Sequence, residues 1–223
     1  MSKIKLPHAS GNSMSIAAPA TNPASDLELK LPATVGTAGQ VLKNSSTPGT
    51  LEFGSAGKIL QVVNFTSTDT ELVSTSSGGH SAWHNTLVTK AITPSSSSSK
   101  ILVSGQLAGE GNAADKAWRY RINRSISGGS ATGLQGVSVG SYRLAAMGTV
   151  YETEDESTTA TQMAVSNYMD SPNTTSAVTY TFQVHYGASA TWYTNYTVGD
   201  ADDWPSERLV SWITLMEISG CAH

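Results

Sequence analysis

The sequence predicts an all-β protein, a jelly-roll-like β-sandwich head preceded by an extended N-terminal segment and a small β-hairpin module. Three observations lead there. Apolar and polar residues alternate with period two over several stretches, such as Val178, Tyr180, Phe182, Val184 and Tyr186 against Thr179, Thr181, Gln183 and His185. Turn signals (Ser77-Gly78-Gly79, Pro94 with Ser95–Ser99, Gly128-Gly129, Ser171-Pro172-Asn173) separate these stretches at short intervals. No convincing amphipathic helical period occurs; at most 112–116 makes one turn.

The predicted strands follow in order. Short runs lie at 58–66, 86–93, 100–107, 142–151, 162–169 and 191–198. Trp118, Tyr120, Ile122, Arg124 and Ile126 alternate with Arg119, Arg121, Asn123 and Ser125, giving one further strand with one wet face. The last strand differs. Leu209, Ile213 and Leu215 fall on one face, and Val210, Trp212, Met216 and Ile218 on the other. One face fills the sandwich; the second is expected to meet another subunit, which makes Val210, Trp212, Met216 and Ile218 the candidate subunit interface.

Residues 1–57 are different in kind. They hold five of the eight prolines and one aromatic, Phe53. Leu27, Leu29 and Leu31 alternate as a single short strand. Such a segment cannot offset its own ordering entropy: it either stays disordered or borrows surface from other copies or a partner, and its apolar residues are too many for a simple linker. The predicted domains are an N-terminal attachment segment at 1–30, a hairpin module at 31–57 and the head at 58–223.

Charged residues are 13% of the chain, and the net charge is −4. Arg119, Arg121 and Arg124 are too small a basic patch to suggest nucleic-acid binding. The single cysteine, Cys221, makes no internal disulfide and completes no zinc spacing. The N-terminus lacks the apolar stretch of a secretion signal, and no run is long enough to cross a membrane. Synthesis in a cytoplasm is therefore expected.

Residues 31–54 carry Leu31-Pro32, Gly36, Gly39-Gln40-Val41-Leu42 and Phe53, a pattern that resembles a module of phage tail fibres. Gly57–Val63, Ile92–Val103, Asp170-Ser171-Pro172 and Ile213–Ile218 resemble the head of marine phage and cyanophage fibre proteins. The resemblance implies a non-enzymatic virion protein: a short homotrimeric tail fibre held by its N-terminus to other virion proteins and presenting its head to the host surface. A capsid fibre or decoration protein is the alternative. The resemblance brings no catalytic residues with it.

Chemistry beyond adhesion is weakly signalled. His80 and His84 lie four apart in a glycine-rich stretch with no acidic partner nearby. The clusters Glu152, Glu154, Asp155, Glu156 and Asp200, Asp202, Asp203 match no EF-hand loop and read as solvated loops. Gly136-Val137-Ser138-Val139-Gly140 fits a nucleophile elbow in pattern, but no helix follows it. No repeat carries the paired carboxylates of a depolymerase. No cofactor and no metal are expected. The remaining candidates are aromatics beside polar groups, which suit a sugar ring: Trp83, Tyr193, Asn195, Asp202, Asp203 and Trp204. Tyr193 and Asn195 are expected to point outward, opposite Trp192 and Tyr196.

Overall fold

A computed structural model describes the chain apart from residues 1–2, 8–10, 12, 18–19, 22, 26, 38–39, 56–57, 77–81, 114–115, 137, 139–143, 153–158, 203, 205 and 221–223. The chain forms two compact units, Met1–Ala56 and Gly57–His223. All of its regular structure among the described residues is β.

The first unit holds two antiparallel hairpins, β1 (Lys3–Pro7) with β2 (Ser13–Ala17) and β3 (Gln40–Asn44) with β4 (Leu51–Ser55). The β3–β4 hairpin lies where the fibre-like motif predicts one. Its return passes through Gly49 at φ 78°, a left-handed conformation that favours glycine. Gly36 lies against Phe53, and a Cβ at Gly36 would lie 2.5 Å from the ring. Those two motif positions are thus fixed by one contact. Leu27–Leu31 is not a strand. Lys30 makes a single bridge to Thr50, while Leu27, Leu29 and Leu31 stay exposed. One bridge does not extend into a ladder, so alternation alone does not make a strand.

The second unit is a sandwich. Its strands are β5 (Ile59–Ser67), β6 (Glu71–Thr75), β7 (His84–Ile92), β8 (Lys100–Gly111), β9 (Lys116–Ile126), β10 (Ala131–Gly133), β11 (Gly148–Glu152), β12 (Thr161–Asp170), β13 (Val178–His185), β14 (Ala190–Thr194) and β15 (Ser211–Ile218). One sheet runs β5-β15-β8-β12, and the other β7-β13-β9-β11. Counting these eight strands along the chain, the orders are 1-8-3-6 and 2-7-4-5, both wholly antiparallel. This is the strand order of a jelly roll. The short β10 extends the β9 edge. The ribbon of β6 and β14 joins the first sheet at Gly109–Gly111.

Alternate residues of both sheets fill the core, which includes the fully buried Trp118, Trp192, Tyr180, Phe182, Ile122, Leu107, Ile213 and Leu215. The Trp118 and Trp192 rings meet at 5.6 Å. A Cβ at Gly111 would overlap the Trp118 indole, so the end of β8 must be glycine there. A polar clasp joins the sheets. Asp170 of β12 accepts from Arg124 Nη1 at 2.9 Å and from the Tyr180 hydroxyl at 2.7 Å, and both partners belong to the other sheet. Burial and the adjacent carboxylate raise the Tyr180 phenol far above its usual range.

Candidate functional site

Strand β14 ends at Thr194, and the next residue, Asn195, adopts φ 66°, so the chain turns out of the sheet there. Tyr196 bridges Arg208 antiparallel, which ties off the loop 197–207. The loop is braced internally: Thr197 Oγ1 accepts from the Glu207 amide at 3.1 Å, and Arg208 pairs with Asp200. It is braced from below by Glu110, whose Oε2 accepts from the Val198 amide at 2.6 Å. Burial, partly offset by that bond, pushes the Glu110 carboxyl up to about 7, and the nearby Glu152 and Glu207 add to the rise.

The loop surrounds an open hollow of about 450 Å³, lined by Asp200, Asp202, Trp204, Ser206, Glu207 and Arg208 among others. Trp204 is 95% exposed. The Arg208 guanidinium lies 5.4 Å from the centre of the Tyr196 ring, and Tyr193 meets Tyr196 edge-on at 5.2 Å. An exposed indole, carboxylates that accept and a guanidinium that donates are the groups that hold a sugar: its apolar face stacks and its hydroxyls are hydrogen-bonded.

The predicted residues are distributed unevenly about this hollow. Asp202 and Trp204 line it, and Tyr193 supports it through Tyr196. Asp203 lies outside the described residues. Asn195 is a correction: it is fully buried and touches no solvent. Its Nδ2 donates to the carbonyls of Ser67 at 3.1 Å and Asp69 at 2.8 Å, and its Oδ1 accepts from the Ser211 hydroxyl at 2.6 Å. Parity put Asn195 outward, but its left-handed conformation ends the alternation and its side chain is held by the Ser67–Asp69 turn and Ser211. Trp83 sits elsewhere, beside Arg121 and His185 of the second sheet. Sequence reasoning missed Arg208, Glu207 and Glu110; Glu110, an acid between two glycines late in β8, was the available signal.

The last strand is central in its sheet. Ile213, Leu215, Ser211 and Glu217 are buried on the inner face, and Trp212, Met216 and Ile218 are half-buried on the outer one. Val210 precedes the strand and is 41% exposed. In register, Val62, Met216, Leu102 and Met169 form one apolar row across β5, β15, β8 and β12. The face is not uniformly apolar, because Asn64, Thr214 and Ser104 form a polar row beside it.

Glu217, an acid within an apolar strand, has a structural role. Its Oε1 accepts from the amide and hydroxyl of Ser95, and its Oε2 from Gln61 Nε2, each at 2.7 Å. Burial opposes its ionisation, but the hydrogen bonds from the Ser95–Ser99 turn and Gln61 outweigh it and hold the carboxyl below its usual value. Ser138 of the elbow-like motif is exposed and accepts from the Ala145 amide, with Val137, Val139 and Gly140 outside the described residues. His84 is the first residue of β7, and His80 lies outside the described residues.

No protein-family model matches the sequence, and no curated protein matches it. Among solved structures, the chain is similar to the structure of the infectious bursal disease virus Gx strain, at 12% identity over 81% of this chain and 42% of that one, with a TM-score of 0.38. It is also similar to the crystal structure of the infectious bursal disease virus VP2 subviral particle, at 10% identity over 81% and 43%, with a TM-score of 0.33. The chain thus spans less than half the length of these two.

Proposed function

We propose that this chain is a non-enzymatic structural protein of a phage particle, a short homotrimeric tail fibre. In this reading its N-terminal unit docks on other virion proteins and its head binds a saccharide of the host surface. The observation that carries the adhesive part is the loop hollow, where Trp204 is held in solvent beside Asp202 and Arg208. A fully exposed indole has no packing role to explain it, whereas a sugar platform needs one. The attachment role is supported by Leu31, Val35 and Phe53, which line an open hollow of about 430 Å³ in the first unit and leave apolar surface uncovered. The trimer is supported by the Val62–Met216–Leu102–Met169 row, in which Val62 and Met169 are about half exposed.

A capsid fibre or decoration protein is the second reading, favoured by the jelly-roll order, which viral shells also use. Labelling the N-terminus on intact particles and imaging them by electron microscopy separates the two. Signal at the tail is the expected result; signal over the shell selects the second reading. Absence from the particle overturns both.

A further inference from the structure

The outward residues of β8 divide the outer face of the first sheet into zones. Leu102, Ser104 and Gln106 alternate with the buried Ile101, Val103, Gly105 and Leu107. Leu102 belongs to the apolar row and Ser104 to the polar row beside it. Gln106 comes next, about 13 Å along the strand from Leu102. Here a second hollow opens, of about 370 Å³. Its lining includes Gln106, Ala108, Ala160, Gln162, Glu207 and Leu209. The polar row therefore separates this hollow from the apolar row.

The second hollow shares a wall with the loop hollow, because Glu207 lines both. That wall is held from two sides. Glu207 Oε2 accepts from the Ala160 amide at 2.8 Å, and the Glu207 amide donates to Thr197 Oγ1. The next two residues part at the wall: Arg208 lines the first hollow and Leu209 the second.

The lining groups suit one class of ligand. Gln162 is exposed, and no hydrogen bond engages its amide among the described residues. Gln106 donates Nε2 to the Val210 carbonyl at 3.2 Å, which leaves its Oε1 to accept. A primary amide donates and accepts, as does the sugar hydroxyl it would meet. Ala108, Ala160 and Leu209 supply an apolar floor. The first hollow offers the carboxylates of Asp200, Asp202 and Glu207 against one guanidinium, Arg208, which already pairs with Asp200. This excess of negative charge repels an anionic ligand, whereas neutral hydroxyls donate to it.

We infer that the two hollows together hold one extended, neutral oligosaccharide, which crosses Glu207 with one unit stacked on Trp204 and a later unit bonded to Gln106 and Gln162. This rests on the adhesive reading above and adds to it that the ligand is a chain and carries no acidic groups.

The test measures, by calorimetry on the full chain, affinity for neutral oligomers of glucose, mannose and N-acetylglucosamine, each of two and of six units. In the series that binds, six units should bind about ten-fold or more tighter than two. Gln162→Ala, at an exposed position, should shrink that gain, and Gln106→Ala with Gln162→Ala should abolish it. Both should leave the affinity for two units unchanged, and each variant's melting curve is recorded. Trp204→Ala should weaken both lengths alike. A six-unit uronic acid oligomer should bind more weakly than the neutral one. Equal affinity for the two lengths overturns the inference and leaves the adhesive reading standing, as does a gain that survives Gln162→Ala undiminished. Tighter binding of the acidic oligomer overturns the neutral class. If no oligomer binds, the adhesive reading fails and this inference with it.

Discussion

The two outer faces of the sandwich are built on equally apolar inner faces, yet they are opposites. On the β5-β15-β8-β12 sheet the row Val62, Met216, Leu102 and Met169 turns hydrocarbon and thioether outward. On the β7-β13-β9 sheet the matching row is Asn85, Gln183 and Arg121, locked side to side by hydrogen bonds. Two threonines meet on that same sheet, Thr89 and Thr181, at 2.8 Å. Period two says which residues leave the core; it does not say what meets them. The outward residue types do: an apolar row calls for a protein surface, whereas a braced polar row is satisfied by its own hydrogen bonds and by solvent.

The largest effect expected is on assembly. A charge at Met216 sits in the centre of the apolar row, where a subunit contact would leave it buried and unpaired. Met216→Asp should convert the oligomer wholly to monomer in light scattering. Asn123→Asp, a charge on the opposite, polar face, should leave the mass unchanged. A monomeric wild type, or dissociation by both variants, breaks the contrast between the faces.

The next largest effect concerns a residue that escapes both categories. Asn195 is outward by parity but is covered by its own chain. Asn195→Ala removes three side-chain hydrogen bonds, leaves the Ser67 and Asp69 carbonyls short of a donor and keeps a positive φ that alanine disfavours. A loss of about 3 kcal/mol is expected in denaturant melts, from buried groups left unpaired at ~1–3 kcal/mol each. A loss under about 1 kcal/mol would show that the Ser67–Asp69 turn opens away from Asn195 in solution.

Two carboxylates sharpen the same point through pH. Glu217 has its carboxyl held low, so its contribution is present above about 4.5 and is lost as pH falls through its folded value. Glu110 is opposite: raised to about 7, it is protonated in the folded chain over a window where the unfolded chain is ionised. Stability on its account falls as pH rises from about 4.5 to about 7 and stays reduced above. Glu110→Gln should therefore stabilise the head above pH 7 and should do nothing near pH 4. Glu217→Gln should destabilise at neutral pH and flatten the acid limb of the stability curve. Parallel pH profiles for the two variants would contradict the opposed environments.

Much of this architecture was legible beforehand. The alternation at Trp118–Ile126 and Val178–Tyr186 reports the inner faces of β9 and β13 directly, because a wet outer face leaves period two intact. The β3–β4 hairpin was legible from its glycines and Phe53. The short β6 was not, since five residues of mixed type acquire strand character only by pairing with β14. The Ser95–Ser99 run read correctly as a turn, but its fastening by Glu217 joins residues more than a hundred positions apart. The candidate site divided in the same way. Asp202 and Trp204, neighbours in sequence, share the hollow. Asn195 misled because parity ends where a left-handed residue breaks the strand. Arg121 read as part of a weak basic patch, and its fixation by Trp83 and Gln183 needs three strands in register.

The smallest expected effect on stability is also the sharpest probe of function. Trp204 is 95% exposed, so Trp204→Ala removes almost no buried area and should shift stability by no more than about 0.5 kcal/mol. Core tryptophans set the scale for comparison: Trp118 and Trp192 are fully buried, and replacing either with alanine should cost about 3–5 kcal/mol. If the hollow bounded by Asp202, Trp204 and Arg208 grips a neutral sugar, Trp204→Ala should lower affinity for a neutral oligosaccharide at least ten-fold while the melting curve stays in place. Arg208→Ala should weaken it less, because Arg208 is already engaged by Asp200 and by the Tyr196 ring. Retained affinity in Trp204→Ala would remove the loop from the binding surface. The exposed indole would then need another partner.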